Sequence, residues 1–195
     1  MFIEPLQFIG LAIFFIDSIF LVAADIRNNH KLTVHQGLTN IIPLLAICAF
    51  IASDPSYLAT KYAPFSALGI LLLIGGLVFR RYALSHLKGN AEDFWIARNN
   101  PQRIYVVASG PYQYIRHPLY SSLLLYYLGV TCLFFHPVTI LVFALFAAAL
   151  VLTAFEEEKF LRQTFSEYSD IMQGTGMFIP NNLDFLFDDQ KINKY

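Results

Sequence analysis

The stretch LYSSLLLYYLGVTCLFFHPVTILVFALFAAALVLTAF, residues 119–155, contains no Asp, Glu, Lys or Arg. The pair His136-Pro137 divides it into two apolar runs, 119–135 and 138–155. Each run has the length of a membrane-spanning helix, which needs about 20 apolar residues within a range of ~17–25. Because proline cannot continue a preceding helix cleanly, the pair predicts a tight turn between two helices. The stretch therefore predicts a helical hairpin in a membrane.

Three more apolar stretches precede this hairpin, at 5–24, 38–53 and 64–79. The chain of 195 residues is 56% hydrophobic and 14% charged, against ~45–50% and ~25% for a soluble domain. We predict an all-α polytopic membrane protein, one domain over 1–195, with about five transmembrane helices. The stretch 38–53 is short, which leaves open whether it spans fully. A net charge of -1 excludes a basic nucleic-acid binder, so no nucleic acid is expected as a partner.

The basic residues are unevenly distributed around the five predicted spans. Five spans place 25–37, 80–118 and the segment after 155 on one side, and these contain every Lys and Arg except Lys61. Cytoplasmic loops of membrane proteins carry an excess of Lys and Arg. The distribution therefore predicts that the N-terminus lies outside and that the C-terminal tail lies in the cytosol.

Two polar segments flank the hairpin, GPYQYIRHPLY at 110–120 and EEEKFLRQTFSEY at 156–168. The second has apolar residues at helical spacing and predicts a C-terminal amphipathic helix on the membrane surface. Taken singly, an interfacial belt of Tyr and Arg explains the first, and a solvated helix end explains the second. The hairpin brings both to one membrane face, where carboxylates can accept hydrogen bonds from ligand hydroxyl or ammonium groups. We therefore predict a cytosolic ligand site formed by 80–118 and 156–180.

The two cysteines, Cys48 and Cys132, both lie in apolar stretches. The sequence contains neither a Cys-x-x-Cys motif nor a Cys/His cluster, so no metal site is expected.

The run VASGPYQYIRHPLY, 107–120, resembles the signature of the isoprenylcysteine carboxyl methyltransferase and phospholipid methyltransferase superfamily of integral membrane methyltransferases. That signature reads Gly-Pro-Tyr-x-Tyr-x-Arg-His-Pro-x-Tyr before a membrane helix. The run EEKFLRQTF, 157–165, resembles the Glu-Glu-x-x-Leu-x-x-x-Phe-Gly motif of the same superfamily, with Ser166 in place of Gly. The tail GMFIP, 176–180, resembles its C-terminal end, so that the resemblance covers about 68–180.

The resemblance implies a methyltransferase that uses S-adenosylmethionine and acts on an amphipathic acceptor, a lipid-like or prenylated small molecule. The activity that best matches this resemblance is isoprenylcysteine carboxyl O-methylation. Carried over position by position, the residues expected at the cofactor are Gly110, Tyr112, Arg116, His117, Pro118, Leu119, Tyr120, Glu157 and Glu158. No residue is assigned a catalytic role. A carboxylate acceptor is already ionised at neutral pH and needs no general base, whereas an amine acceptor favours one.

Two positions depart from the superfamily pattern, since Ile171 and Met177 stand where many members have Tyr and Arg. Both positions lie near the methyl acceptor in the superfamily, so the identity of the acceptor stays open. One alternative is a phospholipid amine N-methyltransferase, for which His117 is a candidate base. A second is an NADPH-dependent enzyme of sterol-reductase type, although no basic pocket for the extra phosphate is apparent. A third is a non-catalytic relative that keeps the fold.

Overall fold

The computed structural model describes residues 5–27, 63–87 and 105–181, and the side chains of 5–17, 65–87 and 105–181. The helices in these ranges are α1 (Pro5–Arg27), α2 (Ala63–Leu87), α3 (Pro118–Leu133), α4 (Pro137–Thr164) and α5 (Tyr168–Ile171), with a 3-10 turn at Gly110–Gln113. The described ranges contain no β-strand, which confirms the all-α class for them. The predicted stretch 38–53 lies outside the described residues, and the count of five spans stays a prediction.

Two of the described helices are long and apolar enough to cross a membrane, namely Phe65–Leu87 of α2 and the whole of α4. At 1.5 Å per residue, the 28 residues of α4 extend about 42 Å, whereas the hydrocarbon core of a bilayer is about 30 Å thick. The apolar part of α4 ends at Phe155, before the three glutamates. The nine residues that follow, 156–164, extend α4 beyond its apolar part.

The segment 156–168, predicted as a C-terminal amphipathic helix, is helical as far as Thr164 but is not an element of its own. Helix α4 continues without a break through the glutamates to Thr164, and only the four-residue α5 follows it. Neither Gly nor Pro occurs between Phe155 and Thr164, and Glu, Lys, Leu, Arg and Gln all favour helix. The glutamates thus mark the end of the apolar segment and not the end of the helix.

The chain divides into two compact units, residues 1–74 with 125–148 and residues 75–124 with 149–195. In the first unit, α2 and α3 approach closely at two glycines. A Cβ atom on Gly129 would lie 2.6 Å from the backbone N of Leu73 and 2.7 Å from the carbonyl oxygen of Gly69. Small residues of this kind let the backbones of membrane helices approach each other.

The turn between α3 and α4 lies in the same unit and is held by side-chain hydrogen bonds. Gln7 Nε2 of α1 donates to the carbonyl oxygen of Leu133, the last residue of α3, at 3.0 Å. The Thr139 hydroxyl donates to the Phe134 carbonyl at 2.6 Å. These bonds satisfy carbonyl groups that a helix end leaves without a helical partner. The ring centroids of Tyr127 and Phe146 lie 4.4 Å apart, so that the two helices pack against each other as a hairpin.

In the second unit, an apolar cluster connects the end of α2 to the segment that precedes α3. Its buried members are Ala83, Leu87, Val107 and Tyr112. The Tyr105 hydroxyl donates to the carbonyl oxygen of Leu87, the last residue of α2, at 2.8 Å. This cluster fixes the start of the 110–120 motif against α2.

Candidate functional site

The Arg-His segment before α3 pairs with the C-terminal tail through backbone hydrogen bonds. Gly176 N–H donates to the Tyr114 carbonyl at 3.0 Å, and Arg116 N–H donates to the Gly176 carbonyl at 2.8 Å. His117 N–H donates to the Met177 carbonyl at 3.1 Å. These bonds form the isolated parallel bridge between Ile115 and Gly176. We refer to 174–181 as the tail segment, and it covers the Arg-His segment from one side.

Side chains attach the tail segment as well. The Ser121 hydroxyl of α3 donates to the Phe178 carbonyl at 2.6 Å. The Arg116 guanidinium donates through Nη1 to the Thr175 carbonyl. Gly176 allows a tight turn here, because a Cβ atom at this position would lie 1.6 Å from the Ile179 carbonyl oxygen. These hydrogen bonds and this turn therefore hold the tail segment against the Arg-His segment as a part of the site.

Glu158 is the centre of a cluster of charges on the second unit. Its Oε1 accepts from Arg116 Nε at 2.6 Å and lies 3.4 Å from His117 Nε2. Its Oε2 accepts from Arg162 Nη2 at 3.3 Å. The Glu158 side chain is only 9% exposed. Both carboxylate oxygens are thus engaged by cations from three directions, which is how a buried charge avoids the cost of desolvation.

Glu157 is the neighbouring carboxylate and lies in a different environment. Its Oε2 lies 3.3 Å from His117 Nδ1, and its side chain is 25% exposed. Because successive residues of a helix point about 100° apart, Glu157 and Glu158 present their carboxylates to different sides. His117 lies between them and contacts one glutamate with each ring nitrogen.

The His117 ring is enclosed on all sides, and the residue is 5% exposed. The Tyr120 ring stacks on it at 5.4 Å between centroids and an interplanar angle of 5°, and the Phe178 ring lies 6.0 Å away. Nε2 makes no hydrogen bond within the described ranges, although it is close to Glu158. Aromatic faces of this kind favour a cation beside them.

The pKa values of this cluster follow from the geometry. Burial alone would lower the pKa of His117, but Glu157 and Glu158 outweigh it and raise the pKa to about 9. Burial would raise the pKa of Glu158, and the neighbouring His117 and Arg116 instead hold it well below its usual range. At neutral pH the Glu158 carboxylate is therefore ionised and the His117 ring is an imidazolium. His117 carries its proton and does not serve as a general base at that pH.

The structure divides the nine residues expected at the cofactor into two groups. Direct contacts bring together Arg116, His117, Tyr120, Glu157 and Glu158. Tyr112 belongs to the apolar cluster, and Leu119 packs against that cluster. Pro118 is fully buried at the first position of α3, which suits its fixed backbone angle.

Gly110 has a positive φ of 58°, and the His86 ring of α2 lies directly against it. A Cβ atom at Gly110 would lie 2.3 Å from His86 Cδ2. The His86 ring is itself held in place, because Nδ1 donates to the Tyr82 carbonyl at 2.8 Å. The motif therefore begins with glycine for two reasons, the backbone conformation and the approach of His86.

Sequence reasoning missed Arg162, which connects the glutamates to the segment that follows α4. Its Nη1 donates to the Ser169 hydroxyl at 2.9 Å, and its guanidinium carbon lies 5.7 Å from the centroid of the Tyr168 ring. The spacing of four residues from Glu158 was the available signal, since such pairs face each other on a helix. Sequence reasoning also missed Ser121, whose bond to the Phe178 carbonyl has no local signature.

The two departures from the superfamily pattern leave these contacts intact. Met177 supplies its backbone carbonyl to His117 N–H, a bond that any residue type can make. The Ile171 side chain is exposed at the end of α5. Within the described ranges, no group of three His, Cys, Asp or Glu side chains is placed to hold a metal ion.

Comparisons with known proteins agree with this geometry. Residues 67–163 match the isoprenylcysteine carboxyl methyltransferase (ICMT) family. Protein-S-isoprenylcysteine O-methyltransferase B of Arabidopsis thaliana is 25% identical over 177 residues, which cover 86% of this chain and 88% of that protein. No solved structure matches the chain significantly. The family match contains the Arg-His-Pro segment and both glutamates, and the chain has apolar helices long enough for a membrane. The chain is therefore similar to the isoprenylcysteine carboxyl methyltransferase family, and this similarity together with its apolar helices supports a membrane methyltransferase of that kind.

Proposed function

We propose that this protein transfers a methyl group from S-adenosylmethionine to the carboxylate of a prenylated cysteine at a membrane surface. The similarity to a protein named as an isoprenylcysteine O-methyltransferase supports the acceptor class. The observation that carries the proposal is the charged cluster of Arg116, His117, Glu157 and Glu158, which lies beyond the apolar part of α4.

The donor set of this cluster fits the cofactor. S-adenosylmethionine, when bound, supplies a methyl group on an electrophilic sulfonium, and it carries ribose hydroxyls, an ammonium group and a carboxylate. Glu157, partly exposed and in contact with His117 through one oxygen, has the chemistry to accept from a hydroxyl or ammonium group. The nine residues expected at the cofactor form or support this pocket in our proposal. Their role is to bind, orient and keep out water, since methyl transfer needs the acceptor within ~3–3.5 Å of the carbon.

The protonation of His117 favours a carboxylate acceptor over an amine. An amine acceptor must lose its proton before it attacks, whereas the carboxylate of a prenylcysteine is ionised at neutral pH. The pKa of about 9 keeps the His117 imidazolium protonated there. His117 is the candidate base for the phospholipid alternative, and its protonated state does not fit that role.

We further propose five membrane spans, with the N-terminus outside and the tail in the cytosol. The loss of any one span would divide the basic segments between the two sides of the membrane, and the observed asymmetry therefore supports the count of five. In this topology the cluster faces the cytosol, and a lipid-like acceptor reaches it from the side between spans.

The decisive experiment is methyl transfer by the protein purified in detergent. We expect label from S-adenosylmethionine to appear in N-acetyl-farnesylcysteine and not in phosphatidylethanolamine. We also expect S-adenosylmethionine, and not NADPH, to raise the melting temperature of the protein. Label in the phospholipid alone would replace the proposed acceptor, and stabilisation by NADPH alone would contradict the cofactor.

A further inference from the structure

Three glutamates stand in a row at the end of the apolar part of α4, and their surroundings differ sharply. Glu156 is exposed, Glu157 is partly exposed, and Glu158 is buried. Because each residue turns the helix by about 100°, the three carboxylates cannot share one environment. The motif of the superfamily presents two of them as a pair, whereas the structure separates them.

The contacts of Glu158 are all internal to the protein. Arg116 and His117 approach one oxygen, and Arg162 approaches the other. Through these cations Glu158 connects three segments, since Arg116 also bonds to Thr175 of the tail segment and Arg162 also bonds to Ser169. Little hydrogen-bond acceptor capacity of the Glu158 carboxylate therefore remains for a ligand.

Glu157 has the opposite character. Its described partner is Nδ1 of His117, at one of its two oxygens. The His117 ring is fixed by Tyr120, by Phe178 and by the backbone bond to Met177, so it holds Glu157 in one orientation. A carboxylate that is oriented from within and partly exposed is suited to accept hydrogen bonds from a bound molecule.

We propose that Glu157 is the ligand-binding carboxylate, and that Glu158 is a positioning residue that holds Arg116, His117 and Arg162 around it. This division rests on the proposed function, because the ligand of Glu157 is a hydroxyl or ammonium donor of S-adenosylmethionine. Glu156 takes part in neither role and serves as a matched control at the adjacent position.

The test compares Glu156→Gln, Glu157→Gln and Glu158→Gln, each purified in detergent at pH 7. Two quantities are measured, the melting temperature without ligand and the affinity for S-adenosylmethionine by calorimetry. We expect Glu156→Gln to match the unmodified protein in both. Glu157→Gln should lower the melting temperature less than Glu158→Gln does, because it removes one contact to His117 and leaves the contacts of Glu158 to three cations in place. It should weaken binding about tenfold or more, the effect of losing one charge-assisted hydrogen bond.

Glu158→Gln should lower the melting temperature by several degrees, because Arg116, His117 and Arg162 then lose their shared counter-charge. If this variant does not fold, Arg162→Gln provides the same test in milder form. Arg162 is half exposed, so we expect a decrease in melting temperature that is smaller than for Glu158→Gln.

S-adenosylhomocysteine distinguishes the atoms that Glu157 contacts, because it keeps the ribose and ammonium groups and lacks the sulfonium charge. Equal weakening of the binding of both ligands by Glu157→Gln supports the proposal, and weaker binding of S-adenosylmethionine alone overturns the assigned contact.

Equal melting temperatures for Glu157→Gln and Glu158→Gln overturn the division of roles. If the unmodified protein binds neither ligand, the proposed function and the role of Glu157 are both wrong, and the melting temperatures still decide the role of Glu158.

Discussion

His117 shows how one enclosed side chain can organise a charged site. Its ring nitrogens face two glutamates, its faces meet Tyr120 and Phe178, and its backbone N–H bonds to the tail segment. Imidazole is the only side chain that offers two polarised N–H groups in one flat ring between aromatic faces. At this position the residue acts as a small cation with a fixed direction.

The stability of the ligand-free protein should therefore depend on the protonation of His117. The pKa is raised from 6.5 to about 9, so the stabilisation is complete below pH 6.5 and is lost as the pH rises through 9. We expect the melting temperature to decrease by a few degrees between pH 6.5 and 9.5. In His117→Gln this part of the pH dependence should disappear, because glutamine does not titrate. A His117→Gln protein with an unchanged pH profile would contradict the charge that we assign to this residue.

At the scale of elements, the fold depends on how closely α2 and α3 pack at Gly69 and Gly129. The atoms that a side chain would meet at Gly129 belong to the backbone of α2, and they cannot move aside as a flexible side chain can. Gly75, on the same helix α2, has nothing within 4 Å of the position where its Cβ would be. Gly129 thus permits the close packing of two helices, whereas Gly75 makes no such contact, although both residues lie in apolar helices.

We expect Gly129→Ala to lower the melting temperature by several degrees, because the added methyl group forces the two helices apart. Gly75→Ala should leave it unchanged or raise it slightly, since alanine favours a helix over glycine by about 0.5–1 kcal/mol. Thermal unfolding in the same detergent, followed by circular dichroism, measures both. An equal loss in the two variants would mean that helix packing at Gly129 is looser than described.

The elements themselves were largely readable from the sequence. The break at His136-Pro137 predicted the hairpin because hydrophobicity and proline act locally. The end of α4 was mispredicted because the three glutamates were taken as a helix boundary. Charge ends an apolar segment, while Gly, Pro and turn residues end a helix. The first such interruption here is at Phe165-Ser166, beyond the last helical residue, Thr164.

The candidate site was readable only in part. Motif resemblance gave the Arg-His-Pro segment and the glutamates, and the i,i+4 spacing could have added Arg162. The pairing of 114–117 with 176–177 was not readable, because backbone hydrogen bonds require no particular side chains. The contact between His86 and Gly110 was likewise hidden, since these two residues are 24 positions apart in the chain and meet only in the folded state.

At the scale of the whole molecule, the charge distribution predicts which side of the membrane carries the site. Of the 13 Lys and Arg residues, only Lys61 lies on the predicted outer side. The members of the charged cluster all lie in segments of the predicted inner side. Some of the basic residues that determine the predicted orientation, such as Arg116 and Arg162, also belong to the charged cluster. The predicted orientation is thus linked to the position of the site.

Site-specific labelling tests this topology. In a protein with Cys48→Ala and Cys132→Ala, we expect Lys61→Cys and Lys191→Cys to react from opposite sides of the membrane. In sealed vesicles with the cytosolic side outward, a membrane-impermeant maleimide should label Lys191→Cys at once and Lys61→Cys only after detergent is added. Labelling of both before detergent is added would contradict the predicted odd number of spans between the tail and Lys61.

The position of the tail segment in the chain has a consequence for biosynthesis. Arg116 bonds to Thr175, a residue 59 positions later, so α3 and α4 leave the ribosome before the partner of Arg116 exists. During that interval, which lasts several seconds at ~5–20 residues per second, the Arg-His segment faces water without its cover. A chain cut short before Gly176 contains the whole of α4, yet His117 then lacks its contact to Phe178 and its backbone partner Met177. Completion of the site thus follows the synthesis of both helices of the hairpin, and a nascent chain exposes the charges of the Arg-His segment until the tail segment has been made.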